Sequence, residues 1–166
     1  MPIRKATSAD SSGILACLSA AFEVYRDSYT PAAFADTILT AETLRGRFEE
    51  MTVFVATEEP GEIIGTIACS VVNPQEGHVR GMAILPSVQG TGVAARLLRH
   101  AEAHFREQDC KRISLDTTAP LERAIRFYKR SGFFPSGKVQ DFFGMPLYEY
   151  VKTIDPIARP RLDHRP

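Results

Sequence analysis

Twelve consecutive residues constrain this chain more than any others: Ile84-Leu85-Pro86-Ser87-Val88-Gln89-Gly90-Thr91-Gly92-Val93-Ala94-Ala95. An apolar strand ends at a proline, a loop with two glycines follows, and an amphipathic helix starts at once. Its stripe is Ala94, Leu97, Leu98, Ala101 and Phe105. Glycine lets the backbone come close to a ligand, and the exposed N–H groups of a helix's first turn attract anions. The segment is a candidate phosphate cradle, and a strand-loop-helix of this kind belongs in an α/β fold.

The residues leave three readings of the loop open. Gly90, Gly92 and Ala95 fit the G-x-G-x-x-G/A dinucleotide fingerprint, with Asp116 near the end of a later strand as the ribose-binding acid. That fingerprint wants the strand to run straight into the first glycine. Here Pro86 to Gln89 intervene, Asp116 lies too far downstream, and about half the chain precedes the loop. A plain helix-start loop without a ligand is the second reading. The third is Gln89-x-x-Gly92-x-Ala94, taken as a pyrophosphate loop.

A second segment favours the third reading. Ala124-Ile125-Arg126-Phe127-Tyr128-Lys129-Arg130-Ser131-Gly132-Phe133 resembles the A-x-x-F-Y-x-x-x-G-F stretch of the GNAT superfamily of N-acetyltransferases, and Gln89-x-x-Gly92-x-Ala94 resembles that family's Q/R-x-x-G-x-G/A loop. The two elements stand in the family's order, about 30 residues apart, and the resemblance spans roughly Pro2 to Thr153.

Composition fits a single domain over residues 1–153 with a flexible tail over 154–166, where Pro156, Pro160 and Pro166 lie among charges. Lys plus Arg and Asp plus Glu balance at 20 each, so no global field recruits nucleic acid or an acidic membrane. No apolar run is long enough to cross a bilayer, and Met1 to Lys5 does not open a signal peptide. Cys17, Cys69 and Cys110 are odd in number and scattered, which argues against a disulfide framework or zinc site and for a reducing cytoplasm.

Periodicity supplies the elements. Ile3 to Ala6 reads as a strand, Ser8 to Asp10 as a helix start, and Leu15, Leu18, Phe22 and Tyr25 as one helix face. Helices are expected over 32–39 and 41–50, then strands over 52–57, 63–72 and 78–85, with turns at Pro60-Gly61 and Asn73-Pro74. After the loop helix come a strand over 112–117, a helix carrying Leu121, Ala124, Ile125 and Tyr128, and a hairpin of 139–143 with 147–153. The expectation is a mixed, mostly antiparallel sheet with helices on both faces.

The resemblance implies the acyl-CoA N-acyltransferase fold, in which the strands before and after the loop splay apart. The cofactor's pantetheine arm then lies in the cleft like an added strand. It implies acetyl-CoA as co-substrate, with no metal. Met82, Ala83 and Ile84 are the expected pantetheine contacts. Gln89, Gly90, Thr91, Gly92, Val93, Ala94 and Ala95 form the pyrophosphate site. Tyr128 stands where the family's tyrosine often points at the cofactor sulfur, as general acid; its stripe position also fits a core residue. Eleven positions before Gln89, where lysine-acetylating members carry a glutamate base, this chain has His78, which also fits a solvated turn end. A backbone N–H near Ile84 is the expected carbonyl donor. Where many members place an asparagine, three residues before Ala124, this chain has Leu121.

The remaining features are less pointed. His100 and His104 lie four apart but lack a third ligand and suit a wet helix face. Tyr25, Asp27 and Tyr29 fall between helices, where an acid among aromatics suits a cationic amine. Among Arg96, Arg99, Arg123, Arg126, Lys129 and Arg130, one or two are expected at the adenosine 3′-phosphate. The function implied is transfer of an acetyl group to a primary amine, on a small molecule or a peptide. The alternative is a non-catalytic acyl-CoA sensor of the same fold, and a homodimer through the C-terminal strands is a further expectation.

Overall fold

A computed structural model describes residues 1–155. Strand β1 (Ile3–Lys5) leads through a 3-10 turn (Ser8–Asp10) into helix α1 (Ser11–Phe22), a 3-10 segment (Glu23–Ser28), α2 (Pro31–Ile38) and α3 (Ala41–Glu50). Then come β2 (Thr52–Glu58), β3 (Glu62–Asn73), β4 (Glu76–Ile84), a 3-10 turn (Pro86–Val88) and α4 (Val93–Glu107). The chain continues with β5 (Arg112–Thr117), α5 (Glu122–Arg130), β6 (Phe134–Phe142) and β7 (Met145–Thr153). The tail expected over 154–166 lies mostly outside the described residues.

The seven strands form one sheet in the order β1-β2-β3-β4-β5-β7-β6. β2, β3 and β4 make the antiparallel meander that the turns predicted. Among the described residues only β4 and β5 run parallel, because the α4 crossover returns the chain to the same edge of the sheet. The central strands are apolar on both faces. Phe54 and Ala56 of β2 pack towards α4, while Val53 and Val55 pack towards α1 to α3. Leu97, Ala101 and Phe105 of α4 fill the first layer; Ile14, Leu18 and Leu44 fill the second. The mixed sheet covered by helices is the fold class expected.

Two boundaries differ from expectation. α1 ends at Phe22, and the 3-10 segment carries Tyr25 onward, closed by the Arg26–Glu23 ion pair at 2.8 Å. A 3-10 turn keeps near-helical spacing, so the apolar stripe did not reveal the change. β6 starts at Phe134 rather than Val139, and its pairing with β7 is interrupted between Pro135 and Val139, where Gly137 has φ 91°. An edge strand that buries little carries no strict alternation, and proline is tolerated there. The helical histidines also differ from a wet face: His100 and His104 set their rings against Phe54, centroids 4.6 and 5.4 Å apart.

Close contacts fix where α4 lies. A Cβ added to Gly65 of β3 would lie 2.8 Å from Leu97 Cδ1, 3.0 Å from Ile84 Cδ1 and 3.2 Å from Val93 Cγ1. The missing side chain seats the first turns of α4 against the sheet. At the other end, Lys152 Nζ of β7 reaches buried Glu102 of α4 at 2.7 Å. Gly65→Val is expected to overpack this contact and lower unfolding free energy by about 1–3 kcal/mol. Urea denaturation measures it, and an unchanged midpoint would show that α4 has room to shift.

Candidate active site

β4 and β5 stay paired from Glu76↔Arg112 to Val79↔Leu115, and there the ladder ends. β4 runs on to Ile84 held only by β3, and β5 to Thr117 held only by β7. The expected splay is therefore present. It coincides with a bulge: Ala68 pairs with Arg80 and Thr66 with Ala83, so Gly81 and Met82 stand opposite one residue, with Gly81 at φ +58°. An extra residue here bends the strand and re-aims its side chains.

Beyond β4 the loop is tied to the strand end. Leu85 N–H donates to Ile64 O at 2.9 Å, and Gln89 Nε2 donates to Ile84 O at 3.1 Å. Gly90 and Gly92 have φ of 80° and 92°, conformations that disfavour any side chain. Unlike α2 and α3, capped by Thr30 and Thr40, α4 has no side-chain cap. Its first helical bond is Arg96 N–H to Gly92 O at 3.1 Å, which leaves the N–H groups of Val93, Ala94 and Ala95 without helical acceptors.

Two cavities open on the splay. The larger, about 320 Å³, is lined by Met82, Ala83 and Ile84 of β4, by Gln89, Gly90, Gly92, Ala94 and Ala95 of the loop, and by Tyr128 and Arg123 of α5. Thr91 and Val93 stand apart from it. Thr91 is exposed and bonds Val88 O through its hydroxyl; Val93 is buried beneath the helix. Arg123 Nη1 donates to Gln89 Oε1 at 3.2 Å. The smaller cavity, about 120 Å³, lies between the first half of β4, the end of β5 and the α1–α3 layer. Phe22, Met82, Leu121 and Tyr128 line both. Tyr128 thus occupies the junction, and it is at the same time a buried residue of the core. It is 8% exposed, its hydroxyl donates to Met82 Sδ at 3.6 Å, and burial pushes its pKa up to about 12.

His78 is not at a turn end. It is the third residue of β4, partly buried, with Nδ1 2.8 Å from Ser114 Oγ and Nε2 3.5 Å from Asp116 Oδ2. Burial lowers its pKa, against the pull of Asp116; burial raises that of Asp116, against the pull of His78. Asp116 lines the smaller cavity and His78 does not. Sequence reasoning weighed Asp116 only as a ribose ligand. The missed signal was alternation: Ser114 and Asp116 share a face of β5, and Ser114 pairs with His78 across the parallel ladder. Tyr29 proves buried, its hydroxyl bonded to Thr118 Oγ1, rather than set in a surface loop; Tyr25 lines the larger cavity, and Asp27 is exposed. Thr117 Oγ1, in the wall of the smaller cavity, is buried without a hydrogen-bond partner.

Residues 17–133 match the acetyltransferase (GNAT) family, well over half the chain. The protein belongs to the GNAT acetyltransferase family. The mycothiol acetyltransferase of Propionibacterium freudenreichii is 31% identical over 104 residues, 57% of this chain and 33% of that protein. This chain matches between a third and about half of the length of its curated relatives. Among solved structures, the PaiA N-acetyltransferase of Thermoplasma acidophilum in complex with coenzyme A has a TM-score of 0.76 at 17% identity, covering 92% of this chain and 98% of that one. The Escherichia coli ribosomal-protein-S18-alanine N-acetyltransferase has a TM-score of 0.73 at 17% identity, covering 97% of each chain. The GNAT fold is shared with both.

No cysteine faces the splay. Cys17, Cys69 and Cys110 are at most 1% exposed, and burial pushes the thiols of Cys17 and Cys69 up to about 12. A GNAT protein built this way has no thiolate to carry an acyl group. The native protein should therefore be silent to Ellman's reagent and titrate all three thiols only after denaturation. Rapid reaction of a native thiol would reopen a covalent route.

Proposed function

We propose that this GNAT protein is an acetyl-CoA-dependent N-acetyltransferase that acts by direct transfer to a primary amine. The observation that carries the reading is the meeting of two cavities at Tyr128, one walled by backbone and the other by titratable side chains. The larger cavity fits a CoA thioester. The free edge of β4 over Met82, Ala83 and Ile84 offers amide groups to the pantetheine arm. The backbone at Gly90, Gly92, Ala94 and Ala95, with the bare start of α4, suits a pyrophosphate. Thr91 and Val93 serve that loop through their backbone alone. Arg123 and Arg130, also in the lining, suit the remaining phosphate charge. The PaiA N-acetyltransferase, which shares this fold, was solved in complex with coenzyme A.

Bound acetyl-CoA supplies an activated acetyl group; the chain's own residues manage protons. An amine with a pKa of about 10.4 arrives as ammonium. Asp116, facing the acceptor cavity, attracts that charge and takes its proton, and His78 behind it shares the load. His78 alone was the expected base; the pair, with Asp116 in front, fits the cavity better. A backbone N–H on the free edge of β4 polarises the reacting carbonyl. Tyr128 Oη, kept neutral by burial, holds the proton that the departing sulfur requires.

Thermal-shift titration is the direct test. CoA and acetyl-CoA should raise the melting temperature, and NADH should not. CoA binding with no thiol release from any amine would leave only a binding module. Within the enzyme, Tyr128→Phe should lower kcat about 10²-fold with CoA affinity nearly intact. Asp116 must be ionised to act, and its pKa is raised, so kcat/KM should climb with pH through a limb displaced upward from that of an exposed aspartate. Asp116→Asn should lower kcat/KM by about 10²–10⁴ and abolish that limb. A limb that survives in Asp116→Asn and vanishes in His78→Gln would assign the base to His78 alone.

A further inference from the structure

The smaller cavity is lined by charged side chains of both signs, and its two arginines have no ion-pair partner among the described residues. Arg47 of α3 and Arg80 of β4 both line it, and neither makes a hydrogen bond or an ion pair within 4.0 Å among the described residues. Arg47 is a built feature of the wall. It is partly buried, and a Cβ on Gly81 would collide with its Nη1, so the glycine of the β4 bulge makes room for the guanidinium. Burial, then the nearby Arg80, lowers its pKa to about 10, which leaves it cationic at neutral pH. Arg47 is partly buried and Arg80 exposed, and two cations held beside each other on one wall repel unless an anion joins them.

The same cavity contains Asp36 and Asp116, and neither lies within ion-pair distance of either arginine. Two positive and two negative groups thus face one space unpaired with each other, together with the orphaned Thr117 Oγ1. Such a wall complements a zwitterion. A polyamine would meet two repelling guanidiniums, and an internal peptide unit would bring no anion to them.

We infer that the acceptor is a free α-amino acid or close analogue, whose carboxylate is held by Arg47 and Arg80 while its amine faces Asp116 and Tyr128. Guanidinium forks match carboxylates in geometry as well as charge. Phe22, Tyr29, Leu121, Phe142 and Leu147 supply the rest of the wall, which suits an apolar side chain. The inference rests on the acetyltransferase reading and narrows its substrate class.

The test uses matched acceptors: L-methionine, L-methioninamide and 3-(methylthio)propylamine, then L-phenylalanine, L-phenylalaninamide and 2-phenylethylamine. Thiol release from acetyl-CoA gives kcat/KM for each. The free acids should exceed their uncharged counterparts by about 10²-fold or more, because a site built for a polar group rejects analogues that lack it. In Arg47→Gln and Arg80→Gln that ratio should collapse towards one, through KM rather than kcat, and Arg47→Lys should restore only part of it. Wild-type enzyme that prefers the amides or the decarboxylated amines would overturn the inference. So would a preference that survives both glutamine variants; Arg80→Gln, at an exposed strand position, keeps the test open if Arg47→Gln does not fold.

A second readout separates this idea from the proposed function. Calorimetry of N-acetyl-L-phenylalanine with CoA-saturated protein needs no turnover. Binding weakened at least about tenfold in Arg80→Gln supports the carboxylate site even where no amine is acetylated. Failure of the wild-type protein to bind this anion, with CoA bound, removes the site whatever the fate of the acetyltransferase reading.

Discussion

The rest of the structure depends on one unmade set of hydrogen bonds. β4 and β5 pair for four residues and then part, although each continues and each remains bonded to its other neighbour. Backbone N–H and C=O groups left idle in a cleft are costly, so a fold keeps such an edge only where something else can pair with it. The parting has local causes on both strands. The bulge at Gly81 and Met82 turns β4 outward, and the register of β5 is held by β7 as far as Thr117↔Tyr148. The crossover helix between the two strands then starts just beyond the unpaired end of β4.

That placement sets an uncapped helix start beside the unpaired strand edge, as the proposed cofactor site requires. α2 and α3 spend their first N–H groups on threonine caps, whereas α4 begins at a left-handed glycine with nothing to accept from its first turn. Gly65 sets the depth by letting Leu97 and Val93 rest on the sheet, and Gln89 ties the loop to Ile84 O, the last carbonyl of β4. Pairing edge and anion site are thus fixed relative to each other by packing and one side-chain hydrogen bond. An extended cofactor with a phosphate at one end and a thioester at the other needs these two features at a constant separation.

The two halves of the site differed in how much the sequence disclosed. The proposed cofactor half relies on the backbone of one segment, so its requirements are glycine, small residues and a strand-to-helix change of period, all contiguous between Met82 and Ala95. Those signals survive in a single sequence, and the central elements fell within a few residues of expectation. The proposed acceptor half takes its charged side chains from α2, α3, β4 and β5, joined only by folding. Nothing local marks Arg47 or Arg80 as partners, and Asp116 reads equally well as a strand-end acid. The edge strand β6 and the turn after α1 were blurred for another reason. Neither has a buried face strict enough to impose a period, so the pattern carried no boundary.

Electrostatics explains why the halves meet where they do. Tyr128 is deep enough that its hydroxyl stays protonated, yet it borders both cavities through the single helix α5. On the side of the smaller cavity, burial works against three of the ionisable groups: it lowers His78 and Arg47 and raises Asp116. Asp116 and His78 each favour a neutral form through burial and a charged form through the other, whereas Arg47 is pushed towards neutrality by burial and by Arg80 alike. A ligand that brings one positive and one negative end relieves both signs at once, and it presents its amine at the junction with Tyr128. Recognition and proton removal then draw on the charges of one wall. Specificity for the acceptor and readiness of the base are in this sense one property of the cavity wall.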